Sequence, residues 1–301
     1  MTERRSALIA IIFAVVFWGF SFISIKIAVV VLPPMSLGAV RFVLAVVFLW
    51  FVKRKTSPKE RLETRDLPHL IGAGLAGVTS YFFFENNGVL LVSASEASVI
   101  IGTIPVISMV AERAVFGGRI AKRRWMGAAL SVIGVWLVAG AAIAVSGEGT
   151  GYLFMTGAAA SWVLYCFLTR PLFARRSRIY IVFWQSVFGL IGFLPFVFRE
   201  LPRWGRIDLS IALHVAYLGI FCSALGYWFY ARALETLGVG AATVFVNLIP
   251  VITVVAGYFI LGDRLTFLQW AGSAAVLLGV SLATWEGRAP HQVKENKKPN
   301  A

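Results

Sequence analysis

Apolar residues in this chain gather into ten blocks, each close to the ~20 residues that a helix needs to cross the hydrocarbon core of a bilayer. The blocks run at about 8–30, 35–52, 67–87, 96–116, 125–146, 151–170, 179–198, 209–231, 238–261 and 265–285. In lipid a segment must satisfy its own backbone polar groups, so blocks of this length are read as helices, and the short links between them make a compact bundle. Composition agrees: 59% of residues are hydrophobic and 14% charged, against roughly 45–50% and ~25% in soluble domains. Arg4 and Arg5 precede the first block. Its apolar stretch is longer than the core of a signal peptide and no small-residue cleavage site follows, so it is expected to stay as the first span.

A formal charge of +14 raises nucleic acid as a partner. The basic residues, however, sit in short links between apolar blocks and form no continuous face, which excludes that class. Their distribution sets direction instead, since lysine and arginine gather on the cytoplasmic side. With the N-terminus inside, 22 of the 28 fall in cytoplasmic segments, and both termini are expected in the cytoplasm of a cell (inner) membrane protein. Cys166 and Cys222 lie in apolar blocks and imply neither a disulfide framework nor a metal. No cofactor is expected.

The tetrapeptide "IPVI" occurs at 104–107 and again at 249–252. Aligned on it, residues 96–138 match 241–283 without a gap, pairing Pro105 with Pro250, Gly117 with Gly262, Trp125 with Trp270, Gly127 with Gly272 and Gly134 with Gly279. Further upstream Trp18 answers Trp162, Lys26 answers Arg170, and "YFFF" at 81–84 answers "YWFY" at 227–230. The chain therefore reads as one five-span unit written twice: 1–147, then 148–287, then a polar, basic tail at 288–301 expected to be a disordered cytoplasmic end. An odd number of spans makes the second copy enter from the opposite side. The expected fold is an all-α integral membrane protein of ten transmembrane helices in two inverted five-helix repeats, the usual plan of secondary transporters. Pro105 and Pro250 are expected to kink matched helices around a central space.

"FWGFSFISIKIA" in the first span, "AVRFVLA" in the second, "YFFFENNGVLLVSASEASVIIGTIPVI" across the third and fourth, and "YWFYARALETLGVGAATVFVNLIPVI" followed by "LGDRLTFLQWAGSAAVLLGV" near the end carry a resemblance. From residue 8 to 285 the chain resembles the drug/metabolite transporter superfamily, in particular its tandem EamA-type exporters of ten helices. The resemblance implies an outward-directed permease for amino acids or other small metabolites. The family often has an acid where Gly118 stands; here only the second half keeps it, as Asp263, so no role for that acid is carried into the first half.

Charges inside spans are costly and usually face the bundle interior. Lys26, Arg41, Glu85 and Glu96 are all expected near the outer end, as ion pairs, as an outer gate, or with a carboxylate that takes up a coupling proton. Trp18 with Trp162 and Tyr81 with Tyr227 are matched and lie deep, so symmetry lets them line one pocket. Ser21, Ser98, Tyr165, Gln185 and Asn247 supply hydrogen-bonding groups nearby. Aromatic walls with few polar groups suit a small amphipathic substrate such as a neutral or aromatic amino acid; ordinary helix packing is the alternative for each of these residues. No phosphate loop, zinc helix or nucleophile elbow points to an enzyme. The remaining alternatives are translocation of a lipid or lipid-linked substrate and a receptor or scaffold without transport.

Overall fold

The computed structural model describes residues 3–116, 121–146 and 149–284, and all regular structure among them is helical. Helices α1 (Glu3–Ala28) and α2 (Pro34–Thr56) are continuous. Helices α3 (Leu67–Gly74) and α4 (Tyr81–Leu91) are joined through a π-helical stretch, Leu75–Ser80. Next come α5 (Ala94–Ile101), α6 (Ile104–Phe116), α7 (Lys122–Ser146), α8 (Thr150–Thr169) and α9 (Arg178–Glu200). Helix α10 (Leu209–Tyr217) passes through a second π-helical stretch, Leu218–Leu225, into α11 (Gly226–Val246). Helix α12 (Leu248–Ala256) runs into a third, Gly257–Leu261, and α13 (Phe267–Thr284) is the last described. Among the described residues seven segments are long and apolar enough to cross a membrane, and Leu248–Leu261 and Phe267–Leu282 are shorter apolar helices. The chain is a multi-pass, all-helical membrane protein. The proposed tail at 288–301 lies outside the described residues.

Helix ends are fixed by groups from elsewhere in the chain. At the start of α2, Pro34 has no N–H to satisfy and the Glu200 carboxylate accepts from the Ser36 backbone N–H at 2.7 Å and its hydroxyl at 2.8 Å, a favourable place for negative charge. Ser93 and Glu96 close a capping box on α5. Lys26, at the end of α1, donates to the terminal carbonyls of the α4 segment, Val89 at 2.8 Å and Val92 at 2.7 Å. Those carbonyls have no partner within the helix, so the ammonium caps it.

Packing repeats in pairs. Helix α1 lies along α11 and α12, and α8 lies along α4, α5 and α6; α2 lies along α9, α7 along α13, and α5 along α12. Matched glycines bring α7 and α13 together: a Cβ on Gly134 would stand 2.6 Å from the Gly272 carbonyl, and one on Gly279 would stand 2.6 Å from that of Gly127. Small residues at such a crossing let backbones touch where lipid gives no hydrophobic drive to association.

The prolines do not act as kinks inside continuous helices. The fourth block is interrupted at Gly102–Thr103 and the ninth at Asn247, and Pro105 and Pro250 fall in the first turn of the helices that restart, where an N–H is dispensable. The third block also outruns expectation, since α4 continues past Glu85 to Leu91. A sharper break sits at Gly238, whose φ of 80° and ψ of 169° only glycine adopts readily.

Candidate functional site

Trp18 of α1 and Trp162 of α8 meet edge to face at the centre of the bundle, ring centroids 5.2 Å apart. Tyr81 packs on Trp162 at 5.2 Å, and its counterpart Tyr227 packs on Trp18 at 6.0 Å. Each contact is thus the image of the other when the halves are exchanged. Together with Ser21, Phe22 and Phe82 these rings wall a cavity, and Arg41 and Glu85 face into it. The open space is about 20 Å³, roughly one water. At that size the cavity admits a metabolite only if its lining moves.

Backbone irregularity explains how these rings are held. A π-helical turn is wide and leaves carbonyls poorly served, and it recurs at functional sites. Here one of the three stretches precedes Tyr81 and another precedes Tyr227. The Tyr227 hydroxyl donates to the Gly77 carbonyl at 2.6 Å, and the Trp18 indole N–H donates to the Cys222 carbonyl at 3.0 Å. Pro105 and Pro250 have no N–H to offer the carbonyls of Ile101 and Val246, two matched residues that also line the cavity.

The four intramembrane charges separate. The Arg41 guanidinium lies over the Phe82 ring, 4.2 Å from its centroid, and its Nε donates to the Ser223 hydroxyl at 2.9 Å. Glu85 accepts from the Tyr81 hydroxyl at 2.7 Å. Arg41 Nη1 and Glu85 Oε2 face each other at 4.0 Å, both side chains almost wholly buried. Lys26 and Glu96, expected to join them, are used elsewhere. Lys26 caps the α4 segment, and Glu96 accepts from Tyr152 at 2.9 Å and Gln269 at 2.6 Å, tying the starts of α5, α8 and α13 together.

Of the polar residues expected at the pocket, Ser21 lines it, with its hydroxyl turned to the Trp18 carbonyl. Ser98 is buried against the Ser95 carbonyl, Gln185 donates to Thr169, Tyr165 packs behind Trp162, and Asn247 sits at the helix break. None of these four lines the cavity. Phe22, Phe82, Ile104 and Ile249 do line it. Nothing in an apolar run marks which of its residues turn inward.

A second polar cluster ties two interhelical links together. Asp66, fully buried, accepts from Arg176 Nε at 2.6 Å and lies 3.4 Å from Arg175. Glu63 pairs with Arg176, and Glu60 accepts from the Ser177 backbone N–H at 3.0 Å and from its hydroxyl. The hydrogen bond from Arg176 holds the Glu63 carboxyl below its usual range and raises Arg176 above its own. This cluster joins the α2–α3 link of the first half to the α8–α9 link of the second. Individually these charges read as a solvated loop, so nothing in their spacing marks the cluster.

The EamA-like transporter family matches residues 5–140 and 149–285. A transporter of Archaeoglobus fulgidus, itself uncharacterised, is 29% identical over 274 residues, covering 90% of this chain and 96% of that one. A probable terminal-alkyne amino-acid exporter of Streptantibioticus cattleyicolor is 26% identical, covering 93% and 94%. A probable amino-acid metabolite efflux pump of Salmonella typhimurium is 26% identical, covering 92% and 94%. One crystal structure is alike in fold, with a TM-score of 0.68 at 17% identity over 93% of this chain and 98% of that one. Matched twice and almost end to end, this chain belongs to the EamA-like transporter family.

Proposed function

We propose that the chain is a secondary exporter of small organic metabolites, amino acids foremost, working by alternating access in the cell (inner) membrane. The observation that carries this reading is the small aromatic cavity lined from both halves, with one buried cation and one buried carboxylate on its wall. Such a site suits a small amphipathic substrate, and relatives named as amino-acid exporters are in keeping with it.

Ten spans in two inverted repeats of five is the topology we infer. Exchange of the halves maps α1·α11 onto α8·α4 and α1·α12 onto α8 with α5 and α6, while α2·α9 and α7·α13 map onto themselves. Gln269, at the start of α13, meets Glu96 at the start of α5, so α13 starts at the end of the bundle away from the start of α1. The two termini then share a side, the cytoplasmic one by the distribution of basic residues. In this orientation the Asp66 cluster is a closed cytoplasmic gate between the repeats.

Purified protein reconstituted into liposomes and assayed with a labelled amino-acid panel, with and without a pH difference, tests the proposal. Accumulation that responds to the pH difference supports a proton as coupling ion. No flux of any amino acid sinks the assignment of substrate class.

A further inference from the structure

Arg41 and Glu85 are each anchored through one atom and leave another free. Nε of Arg41 is tied to Ser223 and the guanidinium plane rests on Phe82. Oε1 of Glu85 is tied to Tyr81. Of their other polar atoms, Nη1 and Oε2 are both buried, both without a hydrogen bond, and 4.0 Å apart on the cavity wall. A pair meant only to neutralise itself would close to about 2.8 Å and gain a charge-assisted bond. Buried charges left unbonded are expensive, so the gap calls for a partner.

The repeat argues against a packing role. Arg41 is the eighth residue of Pro34–Thr56, and the eighth residue of Arg178–Glu200 is Gln185. Glu85 stands four residues after Tyr81, and Ala231 stands four after Tyr227. The same module therefore packs with a neutral amide and a methyl at these two positions. Charge was needed once, on one side of the cavity.

We propose that Arg41 and Glu85 form the polar subsite for a zwitterionic α-amino acid: Arg41 Nη1 donates to the substrate carboxylate and Glu85 Oε2 accepts from its ammonium. This deepens the amino-acid export reading and rests on it. Covalent geometry holds the ammonium nitrogen and the nearer carboxylate oxygen of an α-amino acid about 2.7 Å apart. Two bonds of about 2.8 Å then bridge a 4.0 Å gap without moving either anchor. The substrate side chain falls against Trp18, Trp162 and Tyr227 once these rings turn, while Tyr81 keeps its bond to Glu85. Neutral as a whole, a zwitterion satisfies both charges and leaves the occluded site uncharged.

The test is counterflow of labelled phenylalanine and leucine in liposomes holding the full-length protein, with analogues as competitors. N-acetylphenylalanine lacks the ammonium and phenylalaninamide lacks the carboxylate; each should compete about 100-fold more weakly than phenylalanine, since either strands a buried charge. Arg41→Gln, which copies the amide that the second half carries as Gln185, should lower phenylalanine flux and turn preference toward phenethylamine. Glu85→Gln should turn it toward 3-phenylpropionate. Loss of packing alone gives no such crossed preference. If both analogues compete with wild-type protein as well as phenylalanine does, the subsite is refuted while amino-acid export stands. If no amino acid moves at all, export and subsite fall together. The competitor arm uses wild-type protein only, so poor folding of either variant does not blunt it.

Discussion

Asp66→Asn separates a working gate from a static joint. Asp66 is fully buried and holds Arg176 at 2.6 Å, while Arg175, at 3.4 Å, has a third of its side chain exposed. Removing one partner of a wholly buried pair costs ~3–5 kcal/mol, and exposed pairs are worth ~0–1 kcal/mol. This mixed site lies between, at about 2 kcal/mol for the Asp66 contacts alone. If the cluster exists only while the cytoplasmic side is shut, that energy biases the closed state, and its loss moves the equilibrium toward opening by about 30-fold. A cavity cysteine, Ser21→Cys, reports the shift after the two native buried thiols, Cys166 and Cys222, are replaced by serine. A membrane-impermeant maleimide applied from the cytoplasmic face should label Asp66→Asn many times faster than its parent. An unchanged labelling rate together with a lower melting temperature would refute the gate, because the pair would then stabilise every state alike.

The same assay has a pH dependence. The Glu63 carboxyl is held below its usual 4.5 in the folded protein, chiefly by the Arg176 hydrogen bond, so its contribution is full above that value and is lost as pH falls through the lowered one. Labelling, taken as a ratio to that of a fully exposed cysteine so that the thiolate dependence of the maleimide reaction cancels, should stay level across the neutral range and rise only in acid. Trp18→Ala and Trp162→Ala should impair flux to a similar degree, because each removes one ring of the same edge-to-face contact, worth about 1 kcal/mol beyond burial; wild-type flux in both would remove the shared pocket. Gly279→Ala and Gly134→Ala should each lower thermal stability in detergent by ~1–3 kcal/mol, since the new Cβ would meet backbone atoms at 2.5–2.6 Å. Gly238→Ala should lose a comparable amount for another reason: nothing lies within 4 Å of the added carbon, and the penalty is the φ of 80°. Equal stability of this variant and wild type would place no strain at the break.

Much of the architecture was legible because lipid enforces it. Block length marks the long apolar helices, seven of them long enough to cross a membrane among the described residues, and the matched Trp18, Trp162, Tyr81 and Tyr227 line one cavity. Sequence spacing says little about azimuth. Tyr165 and Gln185 share the pocket's depth but turn behind it, and Phe22 and Phe82 were hidden in apolar runs. The π-helical stretches left no trace either, since "LAGVTS" and "LGIFCSAL" read as ordinary small-residue helix. Lys26 and Glu96 looked equivalent to Arg41 and Glu85 because all four are ionisable residues near one end of a span. What separates them is whether a free helix end lies within reach. Lys26 finds the carbonyls that end the α4 segment, and Glu96 serves the first turn of its own helix.

That difference also explains why a duplicated fold is uneven at its centre. A symmetric scaffold needs symmetric packing groups, and it has them in Gly134 with Gly279 and in the two π-helical stretches. A substrate with distinct ends has no two-fold axis, so a site that grips both ends must break the symmetry of the walls around it. Arg41 opposite Glu85, with Gln185 and Ala231 in the matching places, is such a break at the cavity itself. Restoring symmetry by the double substitution Arg41→Gln and Glu85→Ala should therefore leave helix packing intact and abolish the preference for zwitterions. A double variant that failed to assemble in the membrane would return the pair to the scaffold.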